Sequence, residues 1–295
     1  MKKTSIVFLV VSVLLVATGF YLKNMGQKQA KKAGIELYKQ ELTDGGDLVE
    51  TIDFSLEDTN KININLKDTD INIIGGANKN YVEIVNFNML EYSAYPNNRS
   101  FNIENDLVSS LTGRAEGGNI SFDGVRDFVR FNKHNKNKVL NIYLAANSEV
   151  KIFEIKLEKG NISVSKMNQT CDYNITLENG NVTLSDTPTV SLANFDIKKG
   201  NIVLDKTFIT NTNVKIENGN IDFTSFSNIT YDFEIETETG EIKVNEETHK
   251  GKYTIENDEV NGIFTAHIGV GNVNVTTTIP PVTSPASTPE TTAAQ

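Results

Sequence analysis

One short phrase recurs through the second half of this 295-residue chain at a period near 20, and it constrains the fold more than any other feature. Two alternating apolar residues lead into a polar turn ending in Gly, and Asn with two more alternating apolar residues follows. The phrase reads Ile155-Lys-Leu157-Glu-Lys-Gly160-Asn-Ile162-Ser-Val164, then Ile175-Thr-Leu177-Glu-Asn-Gly180-Asn-Val182-Thr-Leu184. It returns around Gly200 and Gly219, more loosely around Gly240, and last around Gly271. The first four glycines are 20, 20 and 19 residues apart, and the next gap is 21. Alternation with period two puts Ile155 and Leu157 on one face of a strand, and Lys156 and Glu158 on the other. The few inward aliphatic residues of one repeat cannot offset the backbone entropy of ordering it. Stacked repeats can, because each seals its neighbour's core and adds ladder hydrogen bonds. The pattern predicts an all-β chain: a β-solenoid with coils of about 20 residues, two or three short strands per coil, and equivalent strands about 4.8 Å apart.

The turn Glu-Asn-Gly-Asn, as at Glu178–Asn181 and Glu217–Asn220, calls for positive φ, which Gly and Asn tolerate. The Asn after the glycine recurs as Asn161, Asn181, Asn201, Asn220 and Asn272, and Glu241 breaks the column. Stacked Asn side chains can hydrogen-bond along a solenoid wall. The functional alternative is a row of calcium or sugar ligands. Calcium-binding β-roll repeats carry Asp at close spacing in a Gly-rich nonapeptide, so the structural reading is favoured. Taken in chain order, an outward column runs Lys156, Thr176, Asp196, Lys215, Glu236 and mixes signs as a solvated face does. It offers no single-sign stripe to a charged polymer.

The net charge of −10 disfavours a nucleic-acid partner, which needs a basic footprint. The single Cys171 forms no internal disulfide and reads as a core or surface thiol. Trp, a strong sugar-stacking residue, is absent, although nine Tyr remain. Asp196, Asp222 and Glu234 are outward carboxylates but fall in different strand columns or wide apart, and His134, His249 and His267 are isolated. Paired carboxylates or a positioned base are what acid–base catalysis requires. No catalytic, cofactor-binding or metal-binding residue is therefore assigned, no cofactor is expected, and the chain reads as non-enzymatic. Asn-x-Ser/Thr sequences such as Asn161-Ile-Ser163 follow from the repeat itself rather than marking glycosylation.

The ends differ from the middle. A short basic N-terminus, 1–4, precedes residues 5–22, a transmembrane anchor or signal segment with no charge. Its small-x-small cleavage signals are weak, which favours an uncleaved single-pass anchor in the cell membrane. The solenoid is expected outside the cytoplasm. Lys2 and Lys3 on one side and Lys23, Lys28, Lys31 and Lys32 on the other nearly balance the orientation rule. Residues 23–45 suit a juxtamembrane helical spacer. The solenoid spans 50–276, beginning with strand patterns at Ile52–Phe54 and Ile62–Leu66. Lys67-Asp-Thr-Asp70 stands where later repeats have the glycine turn, as in a degenerate first repeat. Tyr81–Val85, Val139–Leu144 and Val150–Phe153 are further strand candidates, and Gly117–Phe122 restates the phrase. Irregular insertions occupy 86–138. The last carries Arg126, Arg130, Lys133, His134, Lys136 and Lys138, a basic cluster that reads as a solvated loop or as a contact for an acidic envelope polymer. Residues 277–295 form a Pro/Thr/Ser-rich tail expected to be disordered.

The phrase Leu157–Val164, the lead-in Leu140–Ile152 and the period of about 20 resemble the DUF4097 group of bacterial proteins, a group labelled as candidate adhesins and kin to GIN-type solenoid domains. The resemblance covers residues 50–276; family members commonly carry Pro in the lead-in where this chain has Ala146. It implies a single-sheet-wrapped β-solenoid in the bacterial envelope, often membrane-tethered, with no established catalytic residues. The expected function is an adhesin-like or structural role for a tethered envelope rod, its partners the membrane and an envelope protein or polysaccharide. The alternative is a regulatory module of an envelope-stress system that binds a membrane partner, and the remote alternative is a carbohydrate-active enzyme.

Overall fold

The computed structural model describes residues 41–53, 59–87, 93–97, 100–104, 137–187, 190–225 and 229–277. The chain divides into two units, Met1–Glu41 and Leu42–Gln295, and almost all described residues belong to the second. The anchor or signal segment 5–22, most of the spacer 23–45, the Gly117–Phe122 phrase, the basic residues from Arg126 to Lys136 and nearly all of the tail lie outside the described residues.

Alternation of apolar and polar residues produces strands throughout. β1 (Glu41–Leu42) and β2 (Leu48–Asp53) precede the first coil, formed by β3 (Lys61–Asp68) and β4 (Asp70–Ala77). β5 (Tyr81–Val85), β6 (Ser93–Asn97), β7 (Ser100–Glu104) and β8 (Val139–Ala145) follow. The regular coils are β9 (Ile152–Lys159) with β10 (Ile162–Ser165), β11 (Cys171–Asn179) with β12 (Val182–Ser185), β13 (Val190–Lys199) with β14 (Ile202–Asp205), and β15 (Ile209–Asn218) with β16 (Ile221–Ser225). Then come β17 (Tyr231–Thr239) and β18 (Ile242–Val244), the short β19 (Glu247–His249) and β20 (Lys252–Ile255), and finally β21 (Gly262–Val270) with β22 (Val273–Thr277). Two expectations are corrected here. Glu41 and Leu42 are in a strand rather than a helical spacer, and residues 93–104, read as part of an irregular insertion, supply β6 and β7.

The expectation of a single wrapped sheet is also corrected. There are two sheets, and each regular coil gives its long strand to one and its short strand to the other. The ten-stranded sheet runs β20-β17-β21-β15-β13-β11-β9-β3-β7-β6, and the twelve-stranded sheet runs β1-β2-β5-β8-β4-β10-β12-β14-β16-β22-β18-β19. Pairing between coils is parallel and in register: Leu66, Leu157, Leu177, Ile197, Ile216 and Ile268 stack on one another through the long strands. These residues and the inward residues of the short strands, such as Ile162, Val182 and Ile202, join one continuous buried core. Size is balanced within a column, as where Phe195 is followed by Val214 and Ala266.

The glycine that joins long to short strand is required by contact as well as by conformation. The φ values of Gly160, Gly180, Gly200, Gly219, Gly240 and Gly271 run from 138° to 157°. A Cβ on Gly200 would lie 1.5 Å from the carbonyl oxygen of Gly180, and one on Gly180 1.7 Å from that of Gly160. In the first coil Thr69 takes the glycine's place, with its carbonyl beneath Gly160. The Asn residues flanking these glycines do not share the positive φ predicted for them. At the opposite corner the chain turns through Lys166, Asp186 and Lys206, with φ of 55°, 48° and 49°. That second corner is not legible from glycine placement, because no glycine occupies it.

Stack order departs from chain order at both ends. β21 and β22 lie between β15–β16 and β17–β18, so the last coil in sequence is the penultimate coil in space. The glycine column follows the same path, Gly271 resting on Gly219 and Gly240 on Gly271. The excursion leaves and re-enters at one place, where Thr230 N donates to Asn261 Oδ1 at 2.9 Å and Asn261 N to Thr230 O at 2.9 Å. At the other end, the first coil lies between β7–β8 and β9–β10. Antiparallel strands then finish each sheet: β5 on β8, β2 on β5, β6 on β7, β19 on β18 and β20 on β17. Such additions shorten and twist open sheet edges that would otherwise pair with other chains.

Replacing Gly200 by Ala is expected to cost more than about 3 kcal/mol, since backbone must move to admit the methyl group. Gly76→Ala, at φ 77° with nothing within 4 Å of the new Cβ, is expected to cost only about 1–2 kcal/mol. Denaturant melts of the two variants check the contrast; equal losses would show that close contact is not what fixes the corner.

Candidate functional site

The Asn column beside the glycines is a continuous hydrogen-bonded wall. Asn161 donates its backbone and side-chain N–H groups to Asp70 Oδ1 at 2.8 and 3.1 Å. Asn181 does the same to Asn161, Asn201 to Asn181, and Asn220 to Asn201, at 2.9–3.2 Å. Asn272 N donates to Asn220 Oδ1, and Glu241 N to Asn272 Oδ1. Asp70 therefore heads the ladder, and Glu241, which interrupts the column in sequence, stands at its far end in space. These amides are spent on one another, which is the structural reading of the repeated Asn.

A second amide column faces outward from the long-strand sheet. In register across the strands it runs Asn102, Asn63, Glu154, Asn174, Asn194, Asn213, Thr265, Glu234. Asn63 Nδ2 donates to Asn102 Oδ1 at 2.7 Å, and Asn194 Nδ2 to Asn174 Oδ1 at 2.8 Å. Glu154 is tied by the Lys61 ammonium at 2.6 Å. Beside it runs the charged column Lys156, Thr176, Asp196, Lys215, and the stack order inserts His267 between Lys215 and Glu236. This corrects the column read in chain order. Glu154, Asn174, Asn194, Asn213, Asp196 and Lys215 line a shallow groove of about 560 Å³ along this face. The sequence carried the signal: Asn174, Asn194 and Asn213 each precede the same apolar position of the phrase, but read alone they merge with the solvated surface.

A second concavity, of about 530 Å³, lies on the short-strand sheet near its early end and includes Gly75, Gly76, Lys79, Tyr81, Tyr143 and Lys166. Tyr81 and Tyr143 pair across β5 and β8 and stack with centroids 4.4 Å apart and planes at 11°. Tyr143 is pushed up to about 12, first by burial and then by the charge and hydrogen bond of Glu83.

The residues weighed for chemistry do not converge. Asp196 and Glu234 face outward on the long-strand sheet, and Asp222 sits in the short-strand sheet. His267 lies 3.6 Å from Glu236 and 3.7 Å from Glu238, and His249 lies tilted against Tyr253 with ring centroids 4.6 Å apart. His134 lies outside the described residues. Lys138, from the basic insertion, places its ammonium 5.5 Å from the centroid of Phe87. Among the described residues, no three of His, Cys, Asp and Glu gather as metal ligands would. Cys171 is a core residue, 1% exposed, with its thiol directed at the Val150 carbonyl at 3.5 Å. Burial pushes this thiol up to about 12.

The thiolate is the reactive form of cysteine. Cys171 is therefore expected to resist iodoacetamide at pH 8 in the native protein and to react at once in denaturant, as mass spectrometry of the alkylated chain would report. Rapid native alkylation would place the thiol outside the core.

A family model described as Toastrack DUF4097 matches residues 59–292. Among solved structures, a candidate cell adhesion protein of Clostridium sporogenes is similar with 18% identity and a TM-score of 0.43, covering 78% of this chain and 98% of its own. A candidate lipid binding protein of Parabacteroides distasonis shows 11% identity and a TM-score of 0.34 over 77% of this chain and 96% of its own. A candidate adhesin of Bacteroides fragilis shows 13% identity and a TM-score of 0.29 over the same shares, 77% and 96%. No curated protein matches the chain.

Proposed function

Given that the chain belongs to the Toastrack DUF4097 family, we propose that it is a membrane-tethered rod of the bacterial cell envelope that works by binding and carries out no reaction. The observation that carries this reading is the outward amide column Asn174–Asn194–Asn213 on the floor of a groove, held at the fixed pitch of parallel strands. A side-chain amide keeps both donor and acceptor capacity after bonding one neighbour. A repeating row of them suits a partner that is itself extended and polar, such as an envelope polysaccharide or a segment of an envelope protein. Nucleic acid is a poor partner for a chain of net charge −10. The uncharged segment 5–22 supports a single-pass anchor, and the rod is proposed to lie outside the cytoplasm. The scattered Asp196, Asp222, Glu234 and His267 support a role without catalysis.

Two measurements test the proposal. Protease treatment of intact cells should remove the 60–276 region from immunodetection and leave a small membrane-bound stub; protection until the membrane is permeabilised would contradict the envelope assignment. In pull-downs with isolated cell-wall polysaccharide, the pair Asn174→Leu and Asn194→Leu should bind at least tenfold less than the parent while melting as a folded protein. Equal retention by the variant would show that the groove is not the binding face.

A further inference from the structure

The two ends of the stack are finished unequally. At the early end the ten-stranded sheet stops at β6, which carries Pro96, and proline has no N–H to give a further strand. At the late end it stops at β20, which carries no proline and, among the described residues, pairs only with β17. Tyr253 and Ile255 stand opposite Ile235 and Phe233 on the inward face. Tyr253 packs against the core, but Ile255 is left 39% exposed. Phe233 and Val244 of this last coil are more exposed than the other members of the continuous core.

The backbone of β20 is set for a further strand. Thr237 N donates to the Gly251 carbonyl at 2.8 Å, one step beyond the Glu236–Lys252 pair. Backbone groups alternate sides along an antiparallel strand. Those of Tyr253 and Ile255 therefore face β17, and those of Lys252, Thr254 and Glu256 face the open edge. The Lys252 N–H turns back to the Lys250 carbonyl at 3.0 Å, which leaves the Lys252 carbonyl on that edge. The sequence here is its own complement. Lys250-Gly-Lys252-Tyr-Thr254-Ile-Glu256-Asn-Asp258 is basic before Thr254 and acidic after it, at matching distances. Read antiparallel to itself about Thr254, it sets Lys252 opposite Glu256 and Tyr253 opposite Ile255.

We infer that β20 is a docking edge for a second copy of this chain, joined antiparallel about a two-fold axis at Thr254. Each Thr254 N–H donates to the other copy's Thr254 carbonyl, and each Glu256 N–H to the other copy's Lys252 carbonyl. The axis falls on a residue whose backbone faces the edge, as a hydrogen-bonded self-pair requires. Lys252, 2.9 Å from Glu234 with both side chains more than half exposed, gains a second carboxylate on its other side. Tyr253 of each copy lies against Ile255 of the other, which carries the inward apolar face across the junction and covers Ile255. A second copy is the occupant because both opposite-charge rows form at once in the two-fold pairing, as an isologous contact demands. The contact is small, so the pairing is weak and reversible. It uses neither the amide groove nor the segment 5–22 and does not rest on the function proposed for them.

Cross-linking of the full chain in mild detergent tests the inference, with Cys171→Ala leaving one introduced cysteine per chain. Thr254→Cys meets itself across the axis at a Cα separation of about 5.5 Å, which a disulfide spans. Under mild oxidant it should form a covalent dimer at least tenfold faster than Glu236→Cys on β17. Adding Lys252→Glu or Glu256→Lys to Thr254→Cys should slow the dimer at least tenfold, since each sets like charges opposite one another. Mixing these two variants makes both rows opposite in charge again, so differently tagged chains should form heterodimers at the parental rate. Melting temperatures should match the parent's, because Lys252, Thr254 and Glu256 are all exposed. The inference is overturned if Thr254→Cys cross-links no faster than Glu236→Cys, if either charge variant alone pairs like the parent, or if the mixture stays monomeric. Dimers that appear only after removal of residues 278–295 would also overturn it, by showing that the chain's own tail holds the edge.

Discussion

Everything in this fold depends on how closely one coil can approach the next at a single corner. There each glycine lies over the carbonyl of the residue beneath, Thr69 under Gly160 and a glycine under the others, with no room for a Cβ between them. That contact draws the following Asn within hydrogen-bond reach of its neighbour, from Asp70 at one end to Glu241 at the other. It also fixes the register of the strands on both sides of the corner. Inward residues then stack into continuous columns, and outward residues repeat at the strand pitch. Local conformation already demands glycine, since φ of 138–157° lies far from the left-handed helical region that Asn tolerates, and the packing distance demands it independently.

Much of this was legible in the sequence, for definite reasons. The period near 20 gave the coil, alternation gave the buried face, and Lys67–Asp70 was recognisable as the glycine turn of a degenerate first coil. The corner at Lys166, Asp186 and Lys206 was not legible, because neither Lys nor Asp announces a left-handed residue as glycine does, and the tertiary stack imposes it. The order of the stack was hidden for a deeper reason. Every coil presents a similar apolar face to either neighbour, so alternation cannot say that Ile216 meets Ile268 before Thr237. The long gap between Gly240 and Gly271 was the one visible trace of the excursion that closes at Thr230 and Asn261.

The candidate sites follow the same division. The groove is a consequence of regularity: Asn174, Asn194 and Asn213 sit at equivalent positions, and a repeating surface is suited to a repeating partner. The tyrosine-lined hollow is a consequence of irregularity, arising where Gly75-Gly76 breaks the register of β4. Regular positions could be placed on a face from sequence, although their joint role could not. Tyr81 and Tyr143 are 62 residues apart in the chain, and only the pairing of β5 with β8 brings them together.

The order of the stack is the claim most open to direct test. In a background with Cys171 replaced by Ala, cysteine pairs can be introduced at outward positions and exposed to mild oxidant. The pair Lys215→Cys with His267→Cys occupies neighbouring strands in register, about 4.8 Å apart, and should cross-link readily. The pair Lys215→Cys with Glu236→Cys is separated by a further strand, about 10 Å in all, and should not. Cross-linking of the second pair in preference to the first would mean that the coils stack in chain order and that the threaded final coil described here is wrong.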